Sequence, residues 1–287
     1  MKSTTQLRQL LRQDGIVLAG GAYDALSARI VEEAGYPLCT VTAAGFCLSR
    51  GFPNIGLVTM REMTENAAYI ADAVDIPVIV DADTGFGPPI NVMRTVREFE
   101  KAGVAGIHIE DQVWPNRGGH NEGKQVLSIK DMTQKIRAAC EARRDSDFVI
   151  MARCDSLMVT GLQDTLERGE AYVEAGADMI FFEMRENLDE IKAMGERLGK
   201  RVPLHFNHSA SGKVPLLSIR EIEKLGFKTV AFYLQPIMAA AKAMRDVLRE
   251  IKQSGNTTSS TKNMISFDEF QELGGLTEIR KTEAKYH

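Results

Sequence analysis

Two acidic clusters hold most of the chemistry available to this chain: Asp81-Ala82-Asp83-Thr84-Gly85-Phe86-Gly87 and Ile109-Glu110-Asp111-Gln112. Each follows a short apolar run, Val78-Ile79-Val80 and Gly106-Ile107-His108-Ile109, so each sits where a buried strand gives way to a loop. Carboxylates at neighbouring strand ends can face one point in space. Without a cysteine or a pair of histidines among them, Asp81, Asp83 and Glu110 form a candidate oxygen-ligand set for a hard cation, Mg2+ or Mn2+. Such a set leaves coordination positions for water and substrate. Arg153 is a planar cation suited to gripping a carboxylate or phosphonate through two parallel hydrogen bonds, or else to a structural pair with Asp155 or Glu183. The stretch from Trp114 to Lys124 is polar and glycine-rich, as a loop closing over substrate would be, and His120 within it offers a proton donor near neutral pH. The glycines of Thr84-Gly85-Phe86-Gly87 let backbone approach a ligand but do not form a nucleotide-binding motif.

These residues need elements to hold them. A charged residue, a small or apolar residue and a glycine recur at Glu33-Ala34-Gly35, Lys101-Ala102-Gly103, Glu174-Ala175-Gly176 and Lys224-Leu225-Gly226, each followed by an apolar run. The glycine supplies the left-handed residue that ends a helix, and the runs at 38–41, 106–109, 179–182 and 229–233 read as buried strands. Further strands are expected at 16–18, 78–80, 148–151 and 204–206, alternating with amphipathic helices over 90–102, 128–144 and 162–175. Eight alternating units predict a (β/α)8 TIM-type barrel. An open doubly wound sheet stays possible, because periodicity does not show whether the first and last strands meet. In a barrel the loops after the strands form the functional face, and here Thr42, Asp81, Asp83, Glu110, Asp111, Arg153, Asp155, Glu183, Asn207, His208 and Ser209 all follow predicted strands. Any one such acid could simply cap a helix; five successive strand ends carrying them point to a site.

The barrel is expected over residues 1–252 and a linker with a C-terminal helical tail over 253–287. After a helix at about 235–251, residues 253–261 are polar and cannot bury themselves, and Ile265, Phe267, Phe270 and Leu273 then return in a short helical segment about 266–273. That small apolar segment needs a partner surface, either its own barrel or another subunit, and an oligomer is favoured. The 287 residues carry a formal net charge of -4, which argues against nucleic acid as a partner and for a small substrate. Four widely spaced cysteines, Cys39, Cys47, Cys140 and Cys154, fit a reducing compartment. No apolar signal core and no run near the ~18 residues of a membrane span is present, so a cytoplasmic protein with no membrane partner is expected.

Taken together, Asp81 to Gly87, His108 to Gln112, Gly119-His120, Ile150 to Arg153 and the stretch Gly21-Ala22-Tyr23-Asp24-Ala25-Leu26-Ser27-Ala28 resemble the isocitrate lyase and phosphoenolpyruvate mutase superfamily. The resemblance covers about residues 20–253, and Met264 to Phe267 is similar to the methylisocitrate lyase and carboxyphosphonoenolpyruvate mutase branch. It implies a magnesium-dependent barrel, usually a tetramer with exchanged C-terminal helices, acting on small 2-oxo or 2-hydroxy acids through an enolate. By the same resemblance Asp81 would bind the metal directly while Asp83 and Glu110 hold its waters. Tyr23, Arg153, Glu183 and Asn207 would contact substrate, and the backbone of Thr42, Ala43, Ala44 and Gly45 would bind its carboxylate. The catalytic assignments fall on His120, Arg153 and Glu110.

Three departures bear on function. Lyases of the superfamily carry Cys-Gly-His on the gating loop, with the cysteine as proton donor, whereas this chain has Gly118-Gly119-His120. A superfamily aspartate corresponds to Asn54, and a lyase glutamate to Ala210. The first reading is therefore a magnesium-dependent carbon–carbon lyase or decarboxylase for a small dicarboxylic acid, with His120, ordered water or another group as the acid. A phosphonopyruvate-type hydrolase or phosphonomutase is the alternative, and a non-catalytic binding descendant is the third.

Overall fold

The computed structural model describes residues 1–118, 123–209 and 213–286. Eight parallel strands form a closed barrel in chain order: β1 (Val17–Ala22), β2 (Leu38–Val41), β3 (Val78–Asp81), β4 (Gly106–Glu110), β5 (Val149–Cys154), β6 (Met179–Phe182), β7 (Leu204–Asn207) and β8 (Thr229–Phe232). The first and last strands meet in register, Val17 beside Thr229 and Gly20 beside Phe232, which excludes the open sheet. Close backbone approach makes that seam. A Cβ at Gly21 would lie 2.4 Å from the Tyr233 carbonyl oxygen, so only glycine fits there. β1 runs on to Ala22, past the expected end at residue 18, and pairs with β2 along its whole second half.

The repeated glycines do what their positions imply. Gly35, Gly103, Gly176 and Gly226 have φ of +82°, +85°, +107° and +90°, one residue beyond helices capped at Ala34, Ala102, Ala175 and Leu225. Helices sit on the outer faces of the strands, where Val80, Ile107, Ile150, Ile180 and Phe182 pack against Phe99, Ile136, Tyr172 and Leu198. The inward residues alternate with these. Ile79, Val149, Met151, Met179, Phe181 and Ala231 fill the barrel interior as one apolar cluster. Truncating any of the large ones to alanine costs about 2–5 kcal/mol, because close packing leaves the cavity unfilled.

Helix Ser3–Arg12 covers the amino ends of the strands. Its Leu7 is fully buried with the interior cluster, and Arg8 donates through Nη1 to Asp178 Oδ1 at 2.8 Å and through Nε to the Asp147 carbonyl at 3.0 Å. The carboxyl ends are left for a site. There β5 and β7 extend past their expected ends at 151 and 206, taking Arg153 and Asn207 into the ladder; Arg153 stands in register with Glu110. Their polar character masks their strand conformation in the sequence.

The chain divides into two compact units, Met1–Leu234 and Gln235–His287. The second contains helices Gln235–Ser254, Phe267–Leu273 and Leu276–Glu283, with a 3-10 turn at Ser260–Asn263. The polar stretch read as a linker is partly ordered by its own side chains: Asn256 Oδ1 accepts the Thr258 amide at 3.0 Å, and Ser260 donates to the Thr257 carbonyl at 3.0 Å. The last two helices bury none of their residues, and Phe267 and Phe270 stack on each other with ring centroids 6.2 Å apart. No helix among the described residues is long and apolar enough to cross a membrane.

Candidate active site

Arg153 organises the carboxyl end of the barrel. From β5 its guanidinium donates through Nε to Asp155 Oδ2 at 2.8 Å and through Nη2 to Glu183 Oε2, beyond β6, at 2.7 Å. Glu110 at the end of β4 lies 3.5 Å from Nε, and Asp81 at the end of β3 lies 3.9 Å from Nη1. Asp81 and Glu110 therefore face the same point. The Phe181 ring lies below, its centroid 4.8 Å from the guanidinium carbon. Burial lowers the Arg153 pKa, but Asp155, Glu183, Glu110 and Asp81 outweigh it and push it well up. The structural pairing considered for Arg153 is present, with Asp155 and Glu183 both as partners.

The turn after β3 brings in a second acid. Asp83 adopts a left-handed backbone, φ +46°, unusual for a residue with a side chain, and its amide donates to Asp81 Oδ1 at 3.0 Å. Asn116 Nδ2 donates to Asp83 Oδ1 at 2.9 Å. Burial, then the nearby Asp81, push the Asp83 carboxyl up to about 7. Burial also raises Glu110, whose Oε1 is enclosed and has no hydrogen-bond partner. Among the described residues, Arg153 and Lys124 pair with carboxylates of the set Asp81, Asp83, Glu110, Asp155 and Glu183, and buried Lys135 faces Glu110. An excess of buried carboxylate with an unpartnered oxygen is a donor set that fits a hard dication. Among the described residues no group of three or more His, Cys, Asp or Glu side chains is placed to hold a metal ion. The set suits magnesium, which keeps several waters and takes one or two protein carboxylates.

A cavity of about 110 Å³ opens above these groups, lined by Thr42, Ala44, Asn54, Asp81, His108, Arg153, Glu183, Asn207, Ser209 and Tyr233. A cavity of this size suits a small acid better than a nucleotide. Thr42 caps helix Ala43–Ser49 by accepting the Gly45 amide at 3.2 Å, which sets the backbone of Ala43 and Ala44 at the rim. Tyr23 stands behind: a Cβ placed on Gly45 would lie 3.1 Å from its Cβ. His120 lies outside the described residues. Asp111 faces away from the cavity and acts as scaffold, accepting the Asp155 amide at 2.8 Å and the Tyr172 hydroxyl at 2.7 Å. Of the nearby aromatic residues, Tyr233 and Phe181 line the cavity and Phe46 is buried in the core. Phe86 and Trp114 border a separate hollow of about 860 Å³ with Lys135, Asp131 and Leu57. That larger space contains none of Asp81, Glu110 and Arg153.

Several site residues escape a search for motifs. His108 approaches Asp81 Oδ1 at 3.5 Å, but burial lowers its pKa and neither ring nitrogen makes a hydrogen bond, so the contact is between a neutral imidazole and a carboxylate. His205 is pushed down to about 3, chiefly by burial and then by His108 and Arg153, and its neutral ring sits between Thr229 Oγ1 at 2.7 Å and Tyr233 Oη at 3.0 Å. Asn54 accepts the Gly118 amide on its carbonyl at 3.1 Å, and Lys124 is buried in an ion pair with Asp155. The two-residue alternation of the strands identifies three of these, since His108 shares a face with Glu110, His205 with Asn207 and Tyr233 with Ala231.

The sequence profile of the phosphoenolpyruvate phosphomutase family matches residues 7–252. The chain belongs to this family. Among relatives, the 2,3-dimethylmalate lyase of Eubacterium barkeri is 42% identical over 100% of this chain and 99% of its own length. A 2-methylisocitrate lyase of Aeropyrum pernix is 40% identical over 97% of this chain and 89% of its own. Among solved structures, phosphonopyruvate hydrolase with oxalate and Mg2+ superposes with a TM-score of 0.91 at 33% identity, covering 100% of this chain and 99% of that one. Family membership agrees with the resemblance carried by the sequence motifs and with the barrel. It also joins carbon–carbon lyases and a phosphorus–carbon hydrolase on one scaffold.

Proposed function

We propose that the chain is a Mg2+-dependent carbon–carbon bond lyase acting on a small 2-hydroxy or 2-oxo dicarboxylic acid through an enolate. The observation that carries this reading is the pairing of Asp81 with Arg153 in the lining of one small cavity, with Glu110 3.5 Å from the Arg153 Nε and the Asp83 amide bonded to Asp81 just behind it. Asp81 would hold the metal, with Asp83 and Glu110 on its waters. When bound, the dication supplies charge stabilisation for the oxygen on which negative charge develops as the bond breaks. Arg153, lying over Phe181, presents Nη1 to a substrate carboxylate, and the amides of Ala43 and Ala44 receive a second anionic oxygen. Glu183 and Asn207 orient the remaining substituents. The proton that quenches the enolate comes from a group other than cysteine, with His120 as the candidate.

The dimethylmalate and methylisocitrate lyases support the lyase reading, and the phosphonopyruvate hydrolase supports a second one, phosphorus–carbon cleavage, because Gly118 removes the lyase cysteine. One panel decides between them: dimethylmalate, methylisocitrate, isocitrate, oxaloacetate and phosphonopyruvate, each incubated with Mg2+ and read by product mass. Cleavage of a dicarboxylate carbon–carbon bond is expected. Turnover of phosphonopyruvate alone selects the second reading, and no turnover of any acid removes both. Loss of turnover in His120→Ala would support that histidine as the acid. The exposed Phe267, Phe270 and Ile279, on helices that bury nothing of their own, support a homotetramer with exchanged C-terminal helices; sedimentation measures it.

A further inference from the structure

Asp155 does not line the cavity, yet it is fully buried and serves as the junction of the site. Its Oδ1 accepts from three donors: Lys124 Nζ, Gln112 Nε2 at 3.2 Å and Arg153 Nη2 at 3.2 Å. Its Oδ2 takes Arg153 Nε at 2.8 Å, and its amide is pinned to Asp111 Oδ1 at 2.8 Å. The carboxylate therefore grips one edge of the guanidinium with two bonds and determines which nitrogen is left over. That nitrogen is Nη1, the one nearest Asp81.

Lys124 and Gln112 come from the two arms of one loop. The arms are joined at the base by the antiparallel bridge between Gln112 and Val126 and by the Val113 amide donating to the Gln125 carbonyl at 2.8 Å. Gln112 also holds Arg117 at both backbone groups, receiving its amide on Oε1 at 2.8 Å and donating to its carbonyl at 3.2 Å. Lys124 is a second cation beside this acidic cluster, and its side chain is 3% exposed. A buried lysine in that position is costly unless it balances charge. Without it, Asp155 would lean on Arg153 alone, and the pocket meant for an anionic substrate would gain a full negative charge.

We propose that Lys124 and Gln112 are positioning residues which, through Asp155, hold Arg153 with Nη1 free for the substrate carboxylate, so that the loop bearing them sets substrate affinity. The proposal rests on the reading that Arg153 contacts substrate. Because the arginine would be misaligned in the ground state and the transition state alike, binding should suffer more than the chemical step.

The test compares Lys124→Met, Lys124→Arg and Gln112→Leu with the wild-type enzyme in the presence of Mg2+. Steady-state kinetics on the best substrate of the panel are measured together with calorimetric titration of oxalate. For Lys124→Met and Gln112→Leu we expect KM and the oxalate Kd to rise about tenfold while kcat stays within about threefold, and Lys124→Arg to return both constants to within about threefold of wild type. Should Lys124→Met fail to fold, Gln112→Leu and Lys124→Arg carry the comparison. Unchanged KM and oxalate affinity in a folded Gln112→Leu or Lys124→Met, or a loss confined to kcat, overturns the proposal while leaving the functional reading in place. A wild-type protein that neither turns over the panel nor binds oxalate overturns the functional reading, and this proposal with it.

Discussion

Gly118 stands where lyases of the superfamily place their acid, so restoring a cysteine is the obvious perturbation, and the geometry predicts that it fails by itself. The Gly118 amide is tied to the Asn54 carbonyl at 3.1 Å, and a Cβ built on Gly118 would lie 2.5 Å from Asn54 Nδ2 and 2.9 Å from its Cγ. Real Cβ contacts do not come that close. Either the Asn54 amide rotates, disturbing a side chain that lines the cavity, or the loop lifts away and gives up its backbone bond. Overpacking of this kind costs about 1–3 kcal/mol, equivalent to about a 5- to 150-fold shift in population. Gly118→Cys is therefore expected to lower kcat/KM on the native substrate by at least about fivefold and to confer no methylisocitrate cleavage. Asn54→Ala removes the two closest atoms, so the double variant should be better than the singles predict, with a coupling of about 1 kcal/mol or more. Kinetics on all four members of this cycle, with melting temperatures to monitor folding, provide the measurement. A Gly118→Cys enzyme that gains methylisocitrate activity with Asn54 untouched, or a cycle that is additive, refutes the packing argument.

Three other outcomes follow from the site. Asp81→Ala should weaken Mg2+ binding, measured calorimetrically, by about a hundredfold or more; intact affinity removes Asp81 as the metal anchor. Asp155 is held below the usual carboxylate range because Arg153 and Lys124 outweigh the opposing effect of burial. Its folded pKa lies under the unfolded value of about 3.9, so its stabilisation is present above that pH and lost as pH falls through the lowered value. Asp155→Asn should therefore melt lower at pH 7 yet lose less stability than wild type between pH 5 and pH 3, and parallel melting curves would falsify this. Cys47 touches Asn54, with its Sγ 3.9 Å from Oδ1, but burial followed by Asp83 and Asp81 pushes the thiol up to about 12. Cys47→Ala is expected to keep kcat within about threefold, and iodoacetamide at pH 7.5 should leave Cys47 unlabelled in the folded enzyme; a large loss of turnover would instead make it the acid.

Much of this architecture can be read from local chemistry. Gly35, Gly103, Gly176 and Gly226 announce the helix ends because a left-handed residue is a local requirement, and each apolar run after them becomes a strand. Asp81, Glu110 and Arg153 are visible as charges in the wrong place, at the ends of runs that otherwise exclude charge. Closure is not visible, since it depends on Gly21 fitting against the backbone of Tyr233 from the far end of the unit. The joint roles of Lys124, Gln112 and Asp155 are hidden for a similar reason. In sequence Lys124 belongs to a polar loop, and only the fold gives its ammonium a buried partner thirty-one positions away. Asp111 shows the opposite failure: as conspicuous in sequence as Glu110, it faces the other side of the strand end and serves Tyr172 and Arg168.

The inward rows of the barrel change character within one step. Ile79 precedes Asp81, Met151 precedes Arg153 and Phe181 precedes Glu183, so greasy filler gives way to a charged rim over roughly 6.6 Å of strand rise. Rim positions can therefore be exchanged for other acids, amides or hydroxyls while the plug beneath keeps every stave in register. A scaffold divided at so shallow a level can be retuned to a new acid by a few substitutions without being refolded.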